Sequence, residues 1–229
     1  MFLEPERDQL GREPAGKPQP FPVPERIPLF PLPNVVFFPK TYLPLHVFEP
    51  RYRQMVTDAT ARGQCIGMAL LKEGWEDQHY ENPPIFSMGC VGRLVSVQTL
   101  PDGRSNILLQ GIERYEVREE FFDKPYREAR IVLRPRDLRV SLDPGLRTYL
   151  TDVLQQYLHV DEEAAALQSL VRPDVSDVVF VHQLSTYLEC TPLEKQFLLE
   201  AESLSRHARR LSDLIQFKLA ERRGARGWG

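Results

Sequence analysis

The side chains able to do chemistry are thinly spread along these 229 residues. Five histidines, His46, His79, His159, His182 and His207, stand far apart, with no pair spaced to put two imidazoles on one helix face. A metal needs converging ligands, so the spacing argues for no metal site. The cysteines Cys65, Cys90 and Cys190 form no CxxC pair and read as buried free thiols. Two acid–base neighbours remain: Glu49 with Arg51 across Pro50, and Glu113 with Arg114. No nucleophile accompanies either pair, and a planar guanidinium more often ties loop carbonyls or a carboxylate in place. Glu49, Arg51 and Arg114 are therefore read as structural ties, and Gly111 as a bulge or tight bend. No GxxxxGK[ST] loop occurs among the 13 glycines, which argues against autonomous ATP hydrolysis. No catalytic residue and no cofactor are assigned.

A binding surface is better supplied. Phe37 and Phe38 sit beside prolines, Tyr42 follows, Trp75 and Tyr80 lie in a charged loop, and Phe86 with Met88 comes after Pro83-Pro84. Aromatic and methionine side chains offer large contact area with little hydrogen-bond specificity, which suits capture of exposed apolar protein segments. Trp75 is the strongest candidate, because burial is least expected in a charged loop. The competing placement for all seven is the core. A second reading rests on charge. Residues 203–229 carry seven Arg or Lys against two acids, although the whole chain has net charge −3. A basic end attracts nucleic acid or acidic partners, or is simply a solvated helix end with favourable cations.

The elements that must position these residues follow from proline and from periodicity. Of the 20 prolines, 12 fall in the first 50 residues. Residues 1–25 alternate proline with charge and read as an extended lead-in. From Ile27 to Leu45 the prolines interrupt apolar residues, which predicts short, bent strands with prolines at edges and corners. Pro50 suits the first turn of a helix bearing Tyr52, Met55, Val56 and Ala59 on one face and stopping at Gly63. Strands are predicted at Ile66–Leu71, Cys90–Thr99, Ser105–Gln110, Arg114–Arg118 and Arg130–Leu133, with a hairpin at Asp102-Gly103. The strand containing Ile107-Leu108-Leu109 is apolar on both faces and should be the more central of that pair. After Ser141 the period becomes helical, with five short helices expected, one opening on the capping box Thr191-Pro192-Leu193-Glu194. No stretch is long and apolar enough for a membrane span, nor is there a signal peptide, so the expected location is cytoplasmic.

Taken in order, these segments resemble a known family. Ile27-Pro28-Leu29-Phe30-Pro31-Leu32-Pro33-Asn34-Val35-Val36-Phe37-Phe38-Pro39, then Leu43-Pro44-Leu45-His46-Val47-Phe48-Glu49-Pro50-Arg51-Tyr52, are similar to the opening of the LON N-terminal domain. Ile66–Leu70, Gly89–Leu94, the hairpin running into Gln110-Gly111-Ile112-Glu113-Arg114-Tyr115, and Thr191–Glu200 continue the resemblance across residues 26 to 223.

The resemblance implies an α+β fold: a PUA-like β pseudobarrel with one helix over residues 26–137, then an α-helical bundle over residues 138–229. It also implies a stand-alone recognition module without ATPase or Ser–Lys peptidase parts. Proteins or peptides would be its partners, chiefly unfolded segments, with a protease or chaperone alongside. RNA binding, frequent among PUA-like folds, is the alternative.

Overall fold

The computed structural model describes residues 21–74, 82–135, 141–160, 167 and 175–226. Within them a mixed six-stranded sheet precedes four of the five helices. The elements are β1 (Arg26–Leu32), β2 (Tyr42–Val47), α1 (Pro50–Arg62), β3 (Cys65–Leu70), β4 (Met88–Thr99), β5 (Ser105–Phe121), β6 (Glu128–Leu133), α2 (Pro144–Val160), α3 (Asp177–Tyr187), α4 (Pro192–Leu199) and α5 (Leu204–Arg226). The expected lead-in over residues 1–20 lies outside the described residues, as do parts of the link between α2 and α3.

The sheet runs β2-β5-β4-β3-β1-β6, and β6 pairs again with β5. The ladder therefore returns to the strand it left. That return is possible because β5 is one strand of 17 residues where two shorter ones were expected. Its first half lies between β2 and β4 (Leu109 opposite Leu43 and Leu94), as its two-sided apolar pattern requires, while its second half passes from β4 to β6. Bulges bend it: Ile112 is an extra residue against Val91 and Gly92, and Arg118 is extra against β6.

The prolines of β1 sit where a missing N–H does least harm. The first half of β1, with Pro28, pairs antiparallel with β6, and the second half, with Pro31, pairs parallel with β3. Each half thus has a regular ladder on one side, the local equivalent of an edge. The segment Phe37–Thr41, expected as part of a strand, instead crosses the sheet as a loop, with Lys40 at φ 63°. Its backbone is held by Gly111, whose carbonyl accepts from the Lys40 N–H at 2.8 Å and whose N–H donates to the Thr41 carbonyl at 2.9 Å. A Cβ on Gly111 would meet the Phe38 oxygen at 2.2 Å, so only glycine permits this approach.

Pro50 at the first turn and Gly63 at the stop bound α1 as the sequence requires. In α4 the capping box is complete: the Glu194 N–H donates to Thr191 Oγ1 at 3.2 Å and the Thr191 N–H to Glu194 Oε2 at 2.7 Å. Four helices, not five, follow Ser141 among the described residues, the last of them 23 residues long.

The apolar residues separate into three clusters. Two lie on the sheet, one of them under α1; the third joins α2 to α5 and takes in Phe38 from the sheet's crossing loop. Two polar ties join sheet to helices beside it. Arg114 Nη1 donates to the carbonyls of Leu199 (3.0 Å) and Ala201 (2.8 Å), and Gln196 Nε2 donates to the Met88 carbonyl at 3.0 Å.

Candidate functional site

Three of the residues singled out from the sequence, Pro31, Glu49 and Arg51, meet around a cleft of about 330 Å³. The end of β1 and the following turn (Pro31, Leu32, Pro33) form one wall, and the start of α1 (Glu49, Arg51, Tyr52) forms the second. The third is the link from β5 to β6, which contributes Phe122, Lys124, Tyr126 and Arg127, and Leu71, Asn82 and Pro83 add a fourth. Proline at the first turn of α1 makes Glu49 and Arg51 flank the helix start, and the return of β6 to β1 brings residues 122–127 opposite them.

The charged groups in this cleft are held by specific partners. Arg51 Nε donates to Glu49 Oε2 at 2.9 Å, and its guanidinium lies 4.6 Å from the Tyr52 ring centroid. Lys124 Nζ donates to Tyr126 Oη (2.7 Å), Glu128 Oε1 (3.1 Å) and Asp58 Oδ2 (3.2 Å), which uses its three protons. Burial alone would lower the Lys124 pKa, but hydrogen bonds with Tyr126, Glu128 and Asp58 outweigh it and hold the ammonium at about 12. Donation from the Tyr126 hydroxyl, then from Gln54 and Lys124, pulls the Asp58 carboxyl down to about 2. Arg127 is buried; Nη2 donates to the Pro83 carbonyl at 2.8 Å, and Nη1 faces Glu120 Oε2 at 3.0 Å without the angle of a hydrogen bond. Burial lowers its pKa, and Glu120 opposes that shift.

The remaining candidates scatter. Phe37 and Phe38 are corrected from binding surface to core, at 3% and 0% exposed. The crossing loop turns Phe37 into the sheet cluster and Phe38 into the helical one, against the rings of His182 (6.2 Å) and His207 (5.7 Å). Tyr42 is 44% exposed on β2, where its hydroxyl accepts from Gln110 Nε2 at 3.2 Å. Phe86 is half-buried beneath the Lys72 ammonium, and Met88 is half-buried against the helical cluster. Trp75 and Tyr80 lie outside the described residues. Gly111 and Arg114 hold the crossing loop and the helix ends and do not approach the cleft. The cleft residues that sequence reasoning missed are Phe122, Lys124, Tyr126 and Arg127. Their signal was the run Phe121-Phe122-Asp123-Lys124-Pro125-Tyr126-Arg127, where aromatic and cationic residues share a proline-containing turn.

Among the described residues hydrolytic chemistry finds no support. Ser185 Oγ lies 2.8 Å from His207 Nε2, but both are fully buried and the hydroxyl also bonds to the Val181 carbonyl of its own helix. Burial raises the pKa of Cys65 and Cys90, the opposite of an activated thiol. No group of three or more His, Cys, Asp or Glu suited to a metal occurs among the described residues, and no helix there is long and apolar enough to cross a membrane. In the basic α5, Lys218 pairs with Glu194 at 3.4 Å, Arg222 with Glu189 at 3.0 Å, and Arg210 stacks on Phe197 at 3.8 Å.

Residues 26–216 match the model of the ATP-dependent protease La (LON) substrate-binding domain. The chain belongs to this family. Among similar proteins, the Lon protease of Flavobacterium johnsoniae is 26% identical over 190 residues, which span 81% of this chain and 23% of the relative. Lon protease 2 of Sorangium cellulosum is 26% identical over 194 residues, 82% of this chain and 24% of its own length. The chain therefore spans about a quarter of the curated relatives it matches. Two solved structures share the fold. The Lon N-terminal domain protein from Xanthomonas campestris has TM-score 0.61 and 22% identity, covering 83% of this chain and 97% of its own. The N-terminal domain of the Mycobacterium avium complex Lon protease has TM-score 0.62 and 14% identity, covering 83% and 98%. The LON domain matched here is the substrate-binding module of that protease, not its catalytic part.

Proposed function

We propose that this LON domain is a non-enzymatic recognition module that binds exposed, unfolded segments of other proteins in quality control or regulated proteolysis. The family match over residues 26–216 carries the reading. On it we read residues 26–137 as a PUA-like β pseudobarrel, supported by the return of β6 to β5. Residues 138–229 are read as a helical bundle, supported by the apolar cluster shared by α2 to α5. The cleft beside α1 offers a concave surface in which apolar residues alternate with charged groups held by specific partners, as a recognition site requires. A separate protease or chaperone working in the cytoplasm would act on what it holds. RNA binding is the weaker reading, because α5 commits several of its cations to partners within the chain.

The test is a binding titration against unfolded casein and against a native globular protein. Binding of casein in preference to the native protein, without nucleotide and without cleavage, is the expected result. Failure to bind either overturns the reading, and salt-sensitive binding of structured RNA in the absence of casein binding would replace it.

A further inference from the structure

The cleft beside α1 contains a donor set that the fold leaves unused. Arg51 spends Nε on Glu49, while its Nη1 and Nη2 make no hydrogen bond among the described residues. Its side chain is 30% exposed on the cleft wall. The Nε bond and the Tyr52 ring fix the guanidinium plane, so the two terminal nitrogens form a fork suited to a carboxylate.

The wall around that fork favours the same charge. Among the described residues, Arg51, Lys124 and Arg127 line the cleft against one acid, Glu49. The carboxylates that hold the other two cations, Asp58, Glu120 and Glu128, are not part of the wall. They hold the cations without themselves lining the cleft. Beside the charges lies apolar surface: Leu32, Pro33, Pro125 and Phe122, the last 50% exposed. A volume of about 330 Å³ is at the small end for a ligand pocket and admits a short piece of chain rather than a folded surface.

We infer that this cleft binds an extended peptide segment through an Asp or Glu side chain flanked by an apolar residue, with Arg51 as the carboxylate anchor and Phe122 as the apolar contact. The inference rests on the protein-recognition reading above and gives it a substrate class.

The experiment uses the full chain and peptides carrying fluorescein on the N-terminal amine and an amidated C-terminus, of sequence Ala-Leu-Glu-Phe-Ala and Ala-Leu-Gln-Phe-Ala. Anisotropy titrations are expected to show the Glu peptide binding about tenfold more tightly than the Gln peptide, the scale of one charge-assisted bidentate contact. In Arg51→Gln the preference should fall below about twofold, and Arg51→Lys should recover part of it by charge without the fork. Phe122→Ala should weaken both peptides alike. Equal affinity of the wild-type chain for the two peptides overturns the inference and needs no variant to fold. So does an unchanged preference in Arg51→Gln, or tighter binding of the Gln peptide when its C-terminus is left free, which would make the ligand a chain end. Casein binding measured alongside separates the two levels: retained with no Glu preference, the substrate class fails alone; lost together with peptide binding, the recognition reading fails as well.

Discussion

Arg114 on β5 donates from Nη1 to the carbonyl oxygen of Ala201 at 2.8 Å, joining positions 87 residues apart in the chain. Leu199, at the end of α4, shares the same nitrogen, so the guanidinium supplies donors and a positive charge at the C-terminal end of a helix.

Removing that side chain takes away the buried donor that the Leu199 and Ala201 carbonyls share. Arg114→Ala is expected to cost about 3 kcal/mol, measured as a drop in the urea midpoint. Arg114→Lys should restore only part of it, because an ammonium cannot span Leu199, Ala201 and the Arg134 carbonyl from one plane. A loss below about 0.5 kcal/mol in the alanine variant would show that the tie does not hold the helices to the sheet.

Gly111→Ala tests the crossing loop. The added methyl group meets backbone, the Phe38 oxygen at 2.2 Å, and neither chain can yield as a flexible side chain would. Destabilisation of about 2 kcal/mol or more is expected in chemical denaturation.

Phe38 and Tyr42 are four residues apart and should behave as opposites. Phe38→Ala empties a position with 0% exposure between two helices and should cost about 3–5 kcal/mol. Tyr42→Ala, at 44% exposed, should stay within about 0.5 kcal/mol of the parent. Thermal melts of the pair would distinguish core from surface directly.

The Asp58–Lys124 pair gives the chain a pH dependence at both extremes. Asp58 is held at about 2 in the folded state, so its contribution is present above the ordinary carboxyl value of 3.8 and is lost as pH falls toward 2. Lys124 is raised from 10.5 to about 12, so its contribution is present below 10.5 and disappears as pH rises through 12. Asp58→Asn should flatten the acid limb of a stability profile measured by urea titration. An unchanged limb would assign acid sensitivity elsewhere.

The parts of the fold that could be seen in advance were those governed by local chemistry. Pro50 and Gly63 bounded α1, Asp102-Gly103 made the hairpin, and Thr191 with Glu194 capped α4, because each signal acts within a few residues. The crossing loop was misread since Phe37 and Phe38 look like strand residues until Gly111, over 70 positions later, offers its backbone to Lys40 and Thr41. The two halves of β5 were separated because bulging at Ile112 breaks the alternation without ending the strand. The cleft was half legible. Glu49 and Arg51 stood out by their place around Pro50, whereas Lys124 and Arg127 join them through the pairing of β6 with β1, which no local pattern announces.

The sharing of β5 among three partners also sets when the domain can form on a ribosome. As the polypeptide emerges, β2 waits for a strand beginning at Ser105, and the first half of β1 waits for β6, complete only at Leu133. Until then a nascent chain leaves Ile27 and Leu29 without Tyr115, Ala129 and Ile131 to complete their apolar cluster, and synthesis at roughly 5–20 residues per second leaves that interval open for several seconds. A protein read here as a holder of unfolded segments thus passes through the very state it is proposed to recognise.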